Sequence, residues 1–209
     1  MIRFSLTDIR SASIPAPDFA GDDALCKFLK SDEEYVNDSD KQRSQVGKIR
    51  LLELLLDVGI SREKLATIQK SEKGKWYLPD SGIDFNIAHS HDFVVCAVTD
   101  NGMVGVDLEK YRLLDWNTFR DCFTRDEFTS ILGSRKPDQY FFNLWTKKES
   151  LLKAWGDGLS IELADAVIEG SEGYIRGTDK RGYFHNIPLE GYACVVCSTV
   201  VNQDVGRIG

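Results

Sequence analysis

The sequence predicts an α+β protein built as two similar α+β halves that share a central cleft. Three observations carry this. Helical and strand-like patterns come in the order helix then strands, twice over, rather than in strict alternation. Asn101-Gly102 lies between two β-rich runs, the strongest short-range signature of a hairpin. A chain of 209 residues, 42% hydrophobic and 28% charged, has an ordinary globular composition and the length for one generous domain or two small ones. The two halves are expected at residues 1–101 and 102–209.

The elements follow in order. Val46, Ile49, Leu52 and Leu56 have helical spacing within residues 41–59, with Ser39 or Asp40 to cap the start and Gly59 to end it. A loop containing "SEKGKWYLPDSG" follows, dense in turn formers. "FNIAHS", "FVVCAVT" and "MVGVDLE" read as strands, the last two joined through "DNG" as a hairpin. Helical patterning returns at 115–132 and at 138–156, where Gly156 and Gly158 punctuate the end. From about 160 to 201 come short strands with Gly-bearing turns, finishing in "YACVVCSTVV".

Composition excludes several classes of function. No run approaches the roughly 18–20 apolar residues that span a bilayer. The start, "MIRFSLTDIRSASIPAPDF", lacks the basic and apolar segments of a secretory signal. The five cysteines, at 26, 96, 122, 194 and 197, are odd in number and read as reduced core residues. A cytoplasmic protein without membrane association is expected. "CVVC" alternates along a strand instead of opening a helix, so it reads as core. A net charge of −7 argues against nucleic-acid binding. It still allows a local basic pocket for a phosphorylated small molecule, because salt screens charge beyond about 8–10 Å.

The stretch "GMVGVDLEKYR" carries the first chemical signal. Strand alternation puts Val104, Val106 and Leu108 on one face, and Gly105, Asp107 and Glu109 on the other. Two neighbouring carboxylates repel unless a cation sits between them, which suits a hard ion such as Mg²⁺. Read alone, they are more simply a solvated hairpin face. In "LWTKKESLLKAWG", Glu149 and Lys153 share a helical stripe with Trp145, one turn apart. Such a pair by itself is a surface ion pair. Opposite Asp107 and Glu109, however, Glu149 would supply a third carboxylate, and Lys153 a charge for phosphate. His89 and Lys75 are further candidate phosphate contacts, each with a plain structural alternative.

Together the strings "GKW…LPD", "FNIAHS", "VGVDLEKYR" and "LWTKKESLLKAWGDGLS" resemble, in order and approximate spacing, 4′-phosphopantetheinyl transferases of the surfactin-synthetase-activating type. The resemblance covers residues from about 41 to 160. It implies transfer of the phosphopantetheine arm of coenzyme A to a serine of an acyl or peptidyl carrier protein, with release of 3′,5′-ADP. It further implies that Asp107, Glu109 and Glu149 bind Mg²⁺ and that Lys153 contacts the diphosphate. Arg43, Lys75 and His89 match positions that bind coenzyme A phosphates. Glu149 is the candidate base for the carrier serine, as the acid on the helix rather than the strand.

Two departures from the family pattern bear on coenzyme A. Ala88 stands where the family usually has serine, so one hydroxyl contact is expected to be missing. The basic pair often found upstream of Arg43 is replaced by acids around "KSDEEYVND", with Lys27 and Lys30 nearby.

The segment 111–128 offers Leu113, Leu114 and Trp116 beside Arg112, Arg120 and Arg125. It reads either as a docking face for an acidic carrier helix or as an ordinary amphipathic core helix. Two other functions stay open on these residues: a Mg²⁺-dependent diphosphate hydrolase, and a carrier-binding module without turnover. The served carrier, whether of fatty-acid, polyketide or non-ribosomal peptide synthesis, is not encoded. A monomer is expected to suffice, because two halves in one chain already form a cleft.

Overall fold

The computed structural model describes residues 1–11, 25, 28–31, 38–156 and 160–208, and of Trp116 the backbone alone. Cys26, Lys27 and Gly158 lie outside the described residues. The first part of the chain supplies β1 (Ile2–Asp8), α1 (Asp38–Asp57), the short α2 (Arg62–Leu65), β2 (Gln69–Lys70), β3 (Trp76–Tyr77), β4 (Asp84–Ser90) and β5 (Phe93–Thr99). The rest supplies β6 (Val104–Lys110), a 3-10 helix (Trp116–Cys122), α3 (Arg125–Gly133) and α4 (Pro137–Trp155). A second 3-10 turn (Leu163–Asp165) then leads into β7 (Ala166–Glu169), β8 (Glu172–Ile175), β9 (Arg181–Asn186), β10 (Tyr192–Ser198) and β11 (Val205–Arg207). No helix among the described residues is long and apolar enough to cross a membrane.

The architecture is α+β, as the sequence predicts. One sheet has the order β11-β1-β5-β4 and the other β6-β10-β9-β8-β7. β5 shows why they stack. Its Val94, Cys96 and Val98 pack against α1 leucines, while Val95 and Ala97 join Val104, Val106, Leu108 and Val196 of the second sheet. A strand buried on both faces reads as a continuous apolar run, which "FVVCAVT" is. The result is four layers, helix–sheet–sheet–helix, with α4 on the outer face of β6 and β10. The expected division at 101/102 falls at the crossing between sheets, but β11 returns to pair with β1 in the first.

The "DNG" hairpin is a correction. β5 pairs with β4 through a turn at His91 and Asp92, His91 having a φ of 50°. β1 and β4 occupy both edges of β5, so no edge is left for β6. Asp100-Asn101-Gly102 reverses the chain, as its composition requires, but hands it to the other sheet. A turn fixes the reversal; the free edges decide the ladder.

β6 instead meets β4 through side chains. The N–H groups of Val104, Val106 and Lys110 donate to Asp84 Oδ2 (2.7 Å), Asn86 Oδ1 (3.1 Å) and Ser90 Oγ (3.2 Å). The same step brings Ala88 opposite Leu108, where a methyl group offers no acceptor. Ala88 is buried in the core between the sheets. A hydroxyl at this position would therefore look into the seam.

Cys96, Cys194 and Cys197 behave as core, while Cys122 is half-buried. Cys194 faces the first sheet and Cys197 faces α4, on opposite sides of β10. Burial pushes the Cys96 and Cys194 thiols up to about 12.

Asn86→Ala leaves the Val106 N–H without its acceptor at this buried seam. The variant is expected to lose about 1–3 kcal/mol of unfolding free energy, measured by urea denaturation.

Candidate active site

α4 carries half of the site, and three features hold it in place. Pro137 opens it at a position where no N–H is needed, and Gly156 closes it in the left-handed conformation, with a φ of 67°. Phe141 and Trp145 stack at 5.8 Å between ring centroids, and Phe119 and Phe123 pack edge-on against them. Trp145 thus grips the 3-10 helix. Finally, Lys148 is fully buried, with its ammonium 2.8 Å from Glu127 and donating to the Leu163 carbonyl. The Glu127 carboxylate also accepts the N–H groups of Thr124 and Ile168. This buried pair is satisfied on both sides, so it locks α3, α4 and β7 together.

Gly105 decides where α4 sits. A Cβ at this position would lie 2.0 Å from the Ser150 carbonyl oxygen and 2.3 Å from the Ala154 nitrogen. The space left by the missing side chain is filled by the helix backbone itself. That contact brings Glu149 and Lys153 over Asp107 and Glu109, two and four residues further along β6.

The four side chains share one electrostatic environment. The Lys153 ammonium donates to Asp107 Oδ1 at 2.5 Å. Asp107 Oδ2 is buried and has no hydrogen-bond partner. Burial raises the Glu149 carboxyl above its ordinary 4.5; Lys153 opposes the shift, while Asp107 and Glu109 add to it. Burial and then Asp107 raise Glu109, against the pull of Arg112 and Ser90. Burial alone would lower Lys153, but Asp107, Glu149 and Glu109 together hold its ammonium above the usual value. Because the native state binds protons more tightly at Glu109 and Glu149, these carboxyls cost stability as pH climbs above 4.5.

Asp107, Glu109 and Glu149 are three carboxylates, one with an orphaned buried oxygen, and carboxylate oxygen is the donor chemistry that a hard divalent cation takes. A Mg²⁺ ion fits this chemistry. Among the described residues, no three acidic, His or Cys side chains converge as they stand on a common point that could hold an ion. Lys153 occupies Asp107 instead.

The remaining expected residues divide. His89 is exposed on β4 and lines a cavity of about 180 Å³ together with Ser44, Lys48, Trp76 and Asn86. Arg43 pairs with Asp40 and donates to the His91 carbonyl at 3.3 Å, beside the β4–β5 turn. Lys75 lines the same cavity, but its ammonium turns inward. It donates to Asp84 Oδ2 (2.7 Å), the Ala154 carbonyl (2.9 Å) and the Val104 carbonyl (3.3 Å). The Lys75 ammonium thus ties β4 to β6 and the end of α4. Leu113 is 90% exposed, whereas Leu114 packs into the aromatic cluster beneath α4. The Trp116 side chain lies outside the described part.

Sequence reading missed Lys48, Asp84 and the Glu127–Lys148 pair. Lys48 lies on the buried stripe of α1, one turn after Ser44, with its ammonium on Ser31 Oγ at 2.8 Å. The one available signal was "TRDE", a capping box that fixes Glu127 at the start of α3.

The model of the 4′-phosphopantetheinyl transferase superfamily matches residues 103–197. The 4′-phosphopantetheinyl transferase gsp of Aneurinibacillus migulanus is 33% identical over 185 residues, covering 83% of this chain and 77% of that protein. The chain belongs to the 4′-phosphopantetheinyl transferase family. The 4′-phosphopantetheinyl transferase Sfp of Bacillus subtilis (strain 168) is 38% identical over 95 residues, 44% of this chain and 42% of that protein. HetI of Nostoc sp., also a 4′-phosphopantetheinyl transferase, is 36% identical over 85 residues, 39% of this chain and 36% of that protein. The segment matched by the superfamily runs from β6 into β10, so it contains both the acid-bearing strand and α4.

Gly105→Ala forces backbone apart where β6 meets α4. It is expected to destabilise the transferase by about 1–3 kcal/mol in urea denaturation. The displaced Glu149 and Lys153 should reduce kcat by about 10²-fold in a steady-state assay.

Proposed function

We propose that this transferase moves the 4′-phosphopantetheine arm of coenzyme A to a serine of an acyl or peptidyl carrier protein, releases 3′,5′-ADP and depends on Mg²⁺. The observation that carries the reading is the meeting of Asp107, Glu109, Glu149 and Lys153 across the β6–α4 contact. When bound by the three carboxylates, Mg²⁺ would supply positive charge against the coenzyme A diphosphate.

The chain's own groups do the rest. The carrier serine oxygen forms a new bond to the phosphorus that bears pantetheine. The diphosphate P–O bond breaks, and its electron pair leaves on 3′,5′-ADP. Lys153, the cation nearest the acids, steadies the charge that grows on the leaving phosphate. Glu149 takes the serine proton. Its burial raises its proton affinity in the direction that makes a carboxylate a better base near neutral pH. His89, at the cavity beside β4, and Arg43, beside the β4–β5 turn, hold the remaining coenzyme A phosphate charge. Lys75 acts indirectly, by fixing the end of α4. Leu113, with Arg112 beside it, is the exposed anchor for the carrier; Leu114 supports it from within.

Incubation of an apo carrier protein with the transferase, coenzyme A and Mg²⁺ should add the mass of one phosphopantetheine, and EDTA should abolish the gain. A gain that survives EDTA would remove Mg²⁺ from the mechanism. No gain with fatty-acid, polyketide or peptide carriers would overturn the transfer itself.

Leu113→Ala should raise the KM for the carrier by about fivefold or more and leave that for coenzyme A unchanged, as measured in steady-state assays. An unchanged carrier KM would remove Leu113 from the carrier-docking face.

A further inference from the structure

Lys153 stands where a counter-ion for the three carboxylates would stand. Its ammonium holds Asp107 Oδ1 at 2.5 Å, while the other oxygen of the same carboxylate is buried without a partner. Glu149 lies one turn earlier on α4, and Glu109 two residues further along β6. The Lys153 side chain is about one-third exposed, so the open side of the cleft gives it room to leave.

We propose that Lys153 is an internal cation that competes with the divalent ion for Asp107, and that the coenzyme A diphosphate relieves this competition by drawing the ammonium away. The inference rests on the Mg²⁺ reading above and adds a coupling to it. An ammonium on Oδ1 blocks that oxygen and repels a second cation placed on the triad. A diphosphate beside the acids offers Lys153 a stronger anionic partner on the solvent side of the same stripe. Metal and coenzyme A are then linked: each raises the affinity of the other by the same factor, as thermodynamic reciprocity requires. The device has a use. An empty transferase does not hold the ion tightly, and the complete cation set forms only when the diphosphate is present to need it.

The Glu127–Lys148 pair offers a contrast within the same helix. There the lysine is fully buried and its carboxylate partner also accepts two backbone N–H groups, so nothing is left for a ligand to claim. At Asp107 the lysine satisfies one oxygen only. One pair is a lock, the other a placeholder.

Mn²⁺ binding, measured by the electron paramagnetic resonance of the free ion, tests the proposal without turnover. For the wild-type transferase, saturating coenzyme A should lower the Mn²⁺ dissociation constant at least tenfold. Lys153→Met and Lys153→Gln should each bind Mn²⁺ alone at least tenfold more tightly than wild type, and coenzyme A should then improve binding less. Variants that bind Mn²⁺ alone no better than wild type would overturn the competition while leaving the metal reading intact. Failure of wild type and both variants to bind Mn²⁺, with or without coenzyme A, would overturn the metal reading as well. In wild type itself, the ammonium ¹⁵N resonance of Lys153 should move as Mg²⁺ and coenzyme A are added together; a resonance that stays put would equally overturn the exchange.

Discussion

The contact of Gly105 with the backbone of α4 is the constraint on which the rest of this molecule depends. Any side chain at Gly105 would meet the Ser150 carbonyl and the Ala154 nitrogen within 2.3 Å. Only a bare Cα lets a helix lie this close to a strand. The closeness fixes the height of Glu149 and Lys153 above Asp107. The aromatic cluster around Trp145, the buried Glu127–Lys148 pair and the Lys75 tie all serve to press α4 onto that spot from different sides.

β6 is also the seam between the two sheets. Its inner face closes the core with Val104, Val106 and Leu108, and its outer face presents the acids. Its free edge is satisfied by Asp84, Asn86 and Ser90 instead of by a strand. Side-chain acceptors on alternate residues do the work of a ladder while leaving the sheets distinct. β4 and the acids of β6 are thereby held in register across the seam. Ser90 shows the economy of this, because its hydroxyl accepts from Lys110 and donates to Glu109 at 3.3 Å.

The acids themselves are costly. Burial raises the proton affinity of Glu109 and Glu149, and each acid worsens the position of its neighbours. A fold selected for stability alone would not gather them. The protein contains this tension by placing one lysine among three carboxylates, leaving one carboxylate oxygen without a partner. A site that is incompletely neutralised by its own residues is one that a cationic ligand can complete.

The sequence by itself determined the α+β class, the helices now seen as α1 and α4, the inward and outward faces of β6, and Glu149 with the lysine one turn after it. These are local matters of periodicity, and periodicity is written in neighbouring residues. The single helix expected over 115–132 is instead a 3-10 helix and α3, broken at Phe123 and Thr124, whose backbone is extended. The sequence also marked the reversal at Asn101-Gly102, but not that the chain would leave one sheet for another. That was decided by β1 and β4 already occupying the edges of β5. Lys75 reads in sequence as a candidate phosphate contact or a solvated loop lysine, and its inward turn follows from Asp84, Val104 and Ala154, separated from it by 9, 29 and 79 residues. The burial of Ala88 between the sheets likewise depends on the apolar residues of both sheets that close over it. Tertiary structure alone decided these points, because each depends on which distant backbone groups a side chain meets, and no local pattern records that.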